Sequence, residues 1–464
     1  MIADGGYAGS DGEVPGYVKP PDYQCNLLWA LVNYWNLYRA TLDADLLPDL
    51  YTLLRGAVNH QLHEATKDAD GTLHMPVMKS PEYPLPALGG DTSYQLALTK
   101  WGLRTIMIIC KLIKCEDPKQ KEFAEAFKHL AEEPVSSAAI GKGRGLMISN
   151  GTAFTTSHRH YSHMIGCWNT GIFSWDDPED RQLCLDTLDN WHSGQNAGAC
   201  QMVGWSGKSK PGCVPDQDMT WEWDGFSYPF SSSANTRAGR PTAAMGNLTL
   251  MLRTVWPKRQ LNWQCKHTGK PWPGSGDGGC IGASMQPNTF QGENGGVGHA
   301  DPTSETPLAL ATSVQDLFLY SDDDSNTIRV FQGLDETVAE AAFHQLRGAG
   351  AVLVSGSRKA GKTMFLRVEA CSERKEDRHW NDTGVTLVLP PDWQDKTLTA
   401  SPSSVQISVG TSPVGSVTFN LAPAESVLLY VSGAKPSDFT IRPAAGERMY
   451  YNWWGQHEGG AGRD

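Results

Sequence analysis

The chain has 464 residues, and its 39 Lys+Arg against 51 Asp+Glu give a formal net charge of −12. Apolar residues make up 40% and charged residues 19%, which fits a globular protein and excludes a mostly disordered one. The length predicts two or three domains of about 100–200 residues each. The acidic balance argues against a nucleic-acid partner, and no apolar run approaches the ~18–20 residues that span a bilayer, so we expect no membrane association.

The N-terminal residues and the cysteines bear on location. Residues 1–20 have no basic start and no apolar run, so this chain carries no signal peptide. Its ten cysteines are irregularly spaced with no CxxC, which leaves their pairing open. Three glycosylation sequons begin at Asn150, Asn247 and Asn381. Together these features favour an extracellular, secreted protein whose signal peptide lies outside this chain.

The first part of the chain, to about residue 255, has helical periodicity. Apolar residues recur at steps of three and four over 27–38 and again over 51–62, where Pro48 stands in the first turn. A third helix is predicted from Asp91 or Thr92 to Lys114, a shorter one over 123–130, and a last one over 303–320. Short polar links between them predict helical hairpins, as in a bundle or a toroid of paired helices.

From about residue 326 the period changes to two, which predicts strands. The candidate strands are Thr327–Phe331, Ala351–Ser355, Met364–Glu369, Val385–Leu389, Val405–Val409, Val417–Leu421 and Ser426–Val431. Helices followed by strands indicate an α+β multidomain chain. We predict an N-terminal extension (1–21), a helical domain with long Gly- and Trp-rich loops (22–322), an antiparallel β-sandwich (323–435) and a tail (436–464).

Gly356 to Thr363 reads G-x4-G-K-T, the phosphate-binding loop pattern. That chemistry needs a helix after the loop, whereas Met364–Glu369 alternates like a strand. We therefore predict a polar hairpin turn here and no nucleotide binding.

Three features could form a binding site. His158, Arg159, His160 and His163 concentrate imidazole and guanidinium groups, which can bind hydroxyls, orient a carboxylate or ligate a metal. The loops over 204–305 hold many tryptophans, Trp221 and Trp223 among them, and aromatic faces beside carboxylates line sugar-binding clefts. The candidate carboxylates are Glu82, Asp91, Asp216, Asp218, Glu222, Asp224, Glu293, Asp301 and Glu305.

Several segments resemble glycoside hydrolase family 95, whose founding activity is α-1,2-L-fucosidase. His158–Met164 is similar to its HRHxSHL motif. The other matching segments are Ser80–Glu82 (SPE), Gly90–Leu96 (GDTSYQL), Ser304–Leu308 with Ser313–Leu317, Ile328–Phe331, Phe343–Arg347 and Ala351–Ser355. The resemblance covers about residues 22–370 and marks a divergent branch without the N-terminal β-sandwich of the family.

The resemblance implies an (α/α)6 toroid followed by a β-sandwich, and an inverting mechanism in which two carboxyl groups stand ~6.5–9.5 Å apart. It makes Glu305 the general base. In fucosidases the acid Glu lies about a dozen residues before HRHxSHL, and Leu146–Ser157 has no carboxylate. The resemblance therefore assigns no general acid in this chain, and Glu82, Asp91 and Glu293 remain candidates for that role. About nine helices are predicted where a toroid has twelve, so either a second chain or a lost N-terminal region completes the toroid, or the toroid is degenerate.

We therefore expect a glycoside hydrolase that releases a terminal α-linked sugar of the L-fucose or L-galactose type. Glu305, Glu293 and Asp91 are its candidate catalytic residues. The substrate-binding candidates are His158, Arg159, His160, His163, Glu82, Trp221 and Trp223. The partner is an oligosaccharide or glycan, and neither a cofactor nor a metal is expected. The alternative is a catalytically inactive relative that serves as a glycan-binding or structural extracellular scaffold.

Overall fold

The structure is a computed structural model of the chain. It describes residues 25–81, 88–136, 144–154, 160–193, 226–254, 305–323, 325–373, 384–410, 413–434 and 439–441. Within these ranges no helix combines the length and apolar character needed to cross a membrane.

The first four helices and the last one agree with the periodicity of the sequence, whereas the three between them were not among the predicted helices. They are α1 (Asn26–Thr41), α2 (Leu47–Glu64), α3 (Ser93–Ile113), α4 (Gln120–His129), α5 (Pro178–Ser193), α6 (Ser227–Arg237), α7 (Pro241–Thr254) and α8 (Glu305–Phe318). Pro48 lies in the first turn of α2, as predicted. The Thr92 hydroxyl caps α3 by accepting a hydrogen bond from the Gln95 N–H at 3.1 Å. The predicted last helix is shorter than expected, because Leu319 begins a strand.

Helices α1, α2 and α3 pack around one apolar core. Trp35, Leu54 and Trp101 are fully or almost fully buried in it. Gly102 of α3 allows the close approach, since a Cβ there would lie 3.0 Å from both Leu28 and Val58. Ala351 and Cys371 from the strand region join the same core, so the C-terminal sheets pack directly on these helices.

Six short strands lie among the helices, and ten strands form the C-terminal region. The short strands are β1 (Thr66–Lys67), β2 (Leu73–His74), β3 (Met78–Lys79), β4 (Leu88–Gly89), β5 (Val135–Ser136) and β6 (Gly145–Leu146). The others are β7 (Leu319–Ser321), β8 (Thr327–Val330), β9 (Ala341–Gly348), β10 (Val352–Lys359), β11 (Lys362–Ala370), β12 (Val385–Val388), β13 (Leu398–Ser401), β14 (Ser408–Gly410), β15 (Ser416–Phe419) and β16 (Ser426–Val431).

The ten strands form two five-stranded sheets, in the orders β13-β16-β11-β10-β9 and β14-β15-β12-β8-β7. Buried side chains from both sheets share one core, with Val354 and Leu429 from the first and Val330 and Leu387 from the second. A strand-rich C-terminal region is therefore confirmed. The toroid and the sandwich as complete architectures stay predictions.

The prediction of purely antiparallel pairing is wrong at one place. Strands β8 and β12 pair in parallel, with Thr386 opposite Thr327. The chain passes through β9, β10 and β11 of the other sheet between them, and this long crossover permits the parallel pairing. Strands β7, β9 and β13 were not among the periodicity candidates, and the predicted strand over 405–409 forms only from Ser408.

The segment that resembled a phosphate-binding loop is a β-hairpin, as predicted. Lys359 pairs with Lys362 across the β10–β11 turn. The turn residues Ala360 and Gly361 both have positive φ, at 49° and 73°, as a two-residue hairpin turn requires. The Thr363 hydroxyl hydrogen-bonds to the Asp392 carboxylate at 2.8 Å, so it is already engaged within the protein.

Two disulfides occur in the described residues, Cys110–Cys115 and Cys167–Cys184. The first closes the end of α3, and the second ties the loop after Met164 to α5. The buried Cys25 thiol donates a hydrogen bond to Gln61 Oε1 at 3.2 Å, and Cys371 is a buried free cysteine.

Three arginines join the helices to the strand region around residues 320–325, and we call this group the arginine junction. Arg39 of α1 donates to the backbone carbonyls of Asp322, Asp323 and Ser325. Arg329 of β8 pairs with the carboxylates of Asp322 and Asp176, at 2.8 and 2.6 Å.

Arg237 of α6 completes the arginine junction. Its guanidinium lies 3.1 Å from Asp316 of α8 and 3.6 Å from Asp323. It also packs over the rings of Trp168 and Tyr320, 3.9 and 4.6 Å from their centroids. The side chains of Arg237 and Asp316 are only 8% and 6% exposed. This buried pair fixes α6 against α8.

We predict that Arg237→Met lowers the free energy of unfolding by about 3–5 kcal/mol, because it leaves two buried carboxylates without their cation. Urea unfolding of the full chain measures this. The matched control is Lys128→Met, because the Lys128 side chain is 64% exposed and its pair with Glu125 lies in solvent. A loss in Arg237→Met no larger than in this control contradicts the structural role of the junction.

Candidate functional site

The histidine motif lies where three separate chain segments meet. Ser162 hydrogen-bonds to Ser80 through their hydroxyls at 2.6 Å, which joins the motif to the Ser-Pro-Glu segment. His163 is 1% exposed and stacks on Phe154, with ring centroids 4.8 Å apart. The backbone carbonyl of His160 accepts a hydrogen bond from Trp191 Nε1 at 3.2 Å. These contacts hold the motif in one arrangement.

The start of α3 is attached to the same region. The Ser93 N–H donates to the Ile148 carbonyl at 3.2 Å, and the Asn150 N–H donates to the Gly90 carbonyl at 3.1 Å. Ile148 belongs to the apolar cluster that contains Phe154 and Trp191. The Gly90–Leu96 segment and the histidine motif, which the sequence treats as separate, are therefore neighbours.

Both carboxylate oxygens of Asp91 contact other groups of the protein. It is 6% exposed and has a left-handed φ of 52°. One carboxylate oxygen accepts the Met75 N–H at 2.7 Å, and the other contacts His74 Nδ1 at 2.6 Å. The hydrogen bond to Asp91 raises the pKa of His74. A carboxylate that is bound at both oxygens is suited to hold the β2–α3 connection in place.

From two contacts we infer that helices α6 and α8 run in the same direction, which bears on the position of Glu305. Arg237 and Asp316 meet near the two C-termini. Leu310, early in α8, packs on the cluster that contains Tyr228 and Phe230 from the first turn of α6. Phe226, which precedes α6, and Glu305, the first residue of α8, therefore lie at the same end.

His160 marks that end as well, because its ring lies 5.3 Å from the ring of Phe226. Glu305 is exposed and lies in the first turn of α8. The histidine motif is thus connected to the start of α6 through His160 and Phe226, and to Ser80 through Ser162.

Other predicted site residues lie outside the described residues. These are His158, Arg159, Glu82, Glu293, Trp221 and Trp223. Of the ten candidates, the structure describes His160, His163, Asp91 and Glu305.

Helix α6 carries buried polar groups that sequence reasoning did not select. His192 of α5 and Ser231 of α6 contact each other at 2.7 Å, from Nε2 to Oγ. The Asn235 amide donates to the Ser231 carbonyl at 2.8 Å. Burial lowers the pKa of His192 to about 4, so the ring is neutral at pH 7. No sequence pattern marks His192, because its partner is 39 residues away.

The comparison with protein families agrees with the motifs. Residues 20–208 match the family model described as Glycosyl hydrolase family 95 catalytic domain. This part of the chain is similar to glycoside hydrolase family 95. The recognition made from the histidine, Ser-Pro-Glu and GDTSYQL segments is thereby confirmed, and all three segments lie inside the matched range. The family 95 segment includes α1 to α5 and ends before α6.

Comparison with curated protein sequences gives no match. Among solved structures, the chain is similar to a putative kojibiose phosphorylase from the human microbiome at 7% identity and TM-score 0.39, covering 74% of this chain and 45% of that one. It is also similar to a family 78 rhamnosidase of Bacillus sp. GL1 at 16% identity and TM-score 0.38, with coverages of 75% and 32%.

A third structure, a Streptomyces avermitilis α-L-rhamnosidase complexed with L-rhamnose, is 10% identical with a TM-score of 0.33, and the coverages are 86% and 32%. The chain spans less than half the length of each of these three proteins. All three scores are too low to indicate a shared fold.

The buried His192 predicts a pH dependence of stability. Between about pH 6.5 and 4 the unfolded chain takes up a proton on this residue and the folded chain does not, so stability falls as the pH falls through this window. The loss is about 3 kcal/mol once the pH has reached about 4.

The measurement is urea unfolding of the parent and of His192→Gln from pH 7.5 to 4. The carboxylates titrate in both proteins, so the difference between the two curves isolates His192. A difference that is independent of pH contradicts the buried neutral ring.

Proposed function

We propose that the protein is a glycoside hydrolase whose active site lies at the common end of α6 and α8. The observation that carries this proposal is the contact between His160 and Phe226 at the start of α6. Because we infer that α6 and α8 are parallel, Glu305 at the start of α8 lies at the same end. The family 95 match supports the glycan as substrate class. Ser80 belongs to the same site through its hydrogen bond to Ser162.

In this proposal Glu305 is the general base of an inverting reaction. It takes a proton from a water molecule, and the water oxygen attacks the anomeric carbon from the face opposite the leaving sugar. A second carboxylic acid gives a proton to the leaving oxygen, with the two carboxyl groups ~6.5–9.5 Å apart. Glu82 and Glu293 are the candidates for that acid, whereas the hydrogen bonds of Asp91 favour a positioning role.

His160 and His163 differ in what they can do. His163 is buried and stacked on Phe154, so it supports the shape of the site. His160 is partly exposed at the end of α6, so its imidazole can reach a sugar hydroxyl. His158 and Arg159, which precede it in the sequence, stay proposed substrate-binding residues. We propose a terminal α-linked sugar of the L-fucose or L-galactose type as substrate.

We predict that Glu305→Gln lowers kcat by about 10²–10⁴, because a positioned base contributes about that factor. Release of sugar from fucosylated and galactosylated oligosaccharides measures the rate, and ¹H NMR identifies the first anomer formed. Glu179→Gln, an exposed glutamate of α5, is the control and keeps the parent rate. Equal rates in Glu305→Gln and the parent, or a retained anomer, contradict the proposal.

A second candidate function is a glycan-binding scaffold without catalysis. The segment 146–157, where fucosidases carry the acid, has no carboxylate, and this favours the scaffold. Sugar binding by the parent with no sugar released from any substrate in the panel is the result that distinguishes the scaffold from the enzyme.

We also propose that the protein works outside the cell. Its two disulfides support this, since such bonds persist mainly in oxidising compartments. Of the sequons, Asn150 is exposed, whereas Asn247 is fully buried and its amide donates to the Ala243 carbonyl at 2.9 Å.

We predict that the chain, secreted from a glycosylating host, carries a glycan at Asn150 and none at Asn247. A buried amide that is already hydrogen-bonded within its helix has no room for a sugar. Peptide mass spectrometry before and after glycan removal tests this. A glycan at Asn247, or an unmodified Asn150 in secreted protein, contradicts it.

A further inference from the structure

A cavity of about 430 Å³ lies between the helices and the strand region. Helices α1, α6 and α8 form its walls, together with Tyr161 of the histidine motif and Trp168, which follows the motif. Its floor is formed by the end of β7 and by residues 347–349 at the end of β9. This volume lies in the range of small-molecule sites, about 300–1,000 Å³.

The cavity lies on the same face of α8 as Glu305. Ala309, Thr312 and Asp316 line it, and Glu305 precedes them in the same stripe, at successive steps of four, three and four. At 1.5 Å per residue, Ala309 is about 6 Å and Asp316 about 16 Å along the helix axis from Glu305.

Helix α6 repeats this arrangement. Phe230, Ser233 and Arg237 line the cavity, and Phe226, which contacts His160, precedes them in the same stripe. The cavity therefore begins beside the proposed active site and extends away from it along both helices. Tyr161, the residue after His160, lies in its wall.

The charged groups of the cavity are engaged within the protein. Arg237 pairs with Asp316 and Asp323. Arg39 donates to three backbone carbonyls. Arg347, which is 38% exposed, donates to the Ala40 carbonyl at 3.2 Å and lies 3.7 Å from Glu373. These contacts leave little charge with which to select a charged ligand.

The groups available to a ligand are carboxamides. Asn33 of α1, Asn169 and Gln315 of α8 line the cavity, and within the described part of the chain their side chains make no hydrogen bond to another residue. A carboxamide both donates and accepts, as a sugar hydroxyl does. The aromatic side chains of Tyr161 and Phe230, stacked 3.2 Å apart, supply an apolar wall.

We propose that this cavity binds a neutral sugar residue of the glycan, through the carboxamides of Asn33, Asn169 and Gln315. The inference rests on the proposed function, because the adjoining active site supplies the glycan. The sugar in the cavity lies next to the glycosidic bond that is cleaved. The cavity therefore gives the enzyme its preference for the sugar to which the terminal sugar is attached.

The test is a binding titration of the full chain with three neutral probes: lactose, D-galactose and L-fucose, followed by ligand-observed NMR. Asn33→Ala/Gln315→Ala removes two carboxamides and is expected to weaken binding of the preferred probe at least about tenfold. Thr312→Phe fills the cavity and is expected to abolish the binding. Gln182→Ala, an exposed amide on α5, is the control and binds like the parent.

Two results overturn the inference. One is that none of the probes binds to the parent, and the other is that probe binding persists unchanged in both cavity variants while their unfolding midpoints match that of the parent. Sugar release from the oligosaccharide panel is measured on the same samples. If the parent hydrolyses the oligosaccharides and both cavity variants have an unchanged KM, the cavity is not a sugar-binding site, but the proposed enzymatic function stands. If the cavity variants lose probe binding but the parent hydrolyses none of the oligosaccharides, the proposed enzymatic function is wrong and the cavity is still a sugar-binding site.

Discussion

The buried cation of Arg237 organises the part of the molecule in which function is proposed. Its guanidinium lies between Asp316 of α8 and Asp323, with Trp168 and Tyr320 against its faces. A buried charge of this kind requires both carboxylates, so α6, α8 and the segment after β7 have little freedom to shift relative to one another. Arg39 adds the third helix by binding the backbone of the same segment.

This constraint has a direct consequence for the site. With α6 and α8 parallel and held at their C-termini, the two N-termini lie together, and the residues of one stripe on each helix face the same space. Phe226 and Glu305 are the first members of these stripes, and Ser233, Thr312 and Asp316 follow them into the cavity. The proposed catalytic end and the proposed binding cavity thus share one helix pair.

Sequence periodicity predicted the helices well, because α1, α2 and α3 bury continuous apolar faces and α3 has its own cap at Thr92. It was weaker for the sheets. Strand β9 contains Gln345 with a φ of 55°, and the register shifts opposite it between Val354 and Gly356, so the alternation is broken. Strands β7 and β13 have only three and four residues and carry too little pattern.

The contacts that assemble the site are long-range, and single-sequence patterns do not report them. Ser80 and Ser162 are 82 residues apart, and Arg39 and Asp323 are 284 apart. Family resemblance selected Ser80 and the histidine motif, and it proposed Glu305 as the base. It assigned no role to Arg237 or Asp316, because their importance lies in a buried pair between two helices.

The most direct test of this account is a crystal structure of the full-length Glu305→Gln variant soaked with an intact fucosylated trisaccharide such as 2′-fucosyllactose. The account predicts density for the terminal sugar between residue 305 and His160, with the next sugar in the cavity against Asn33 and Gln315. Sugar bound elsewhere on the molecule, with this end of α6 and α8 empty, contradicts the central claim.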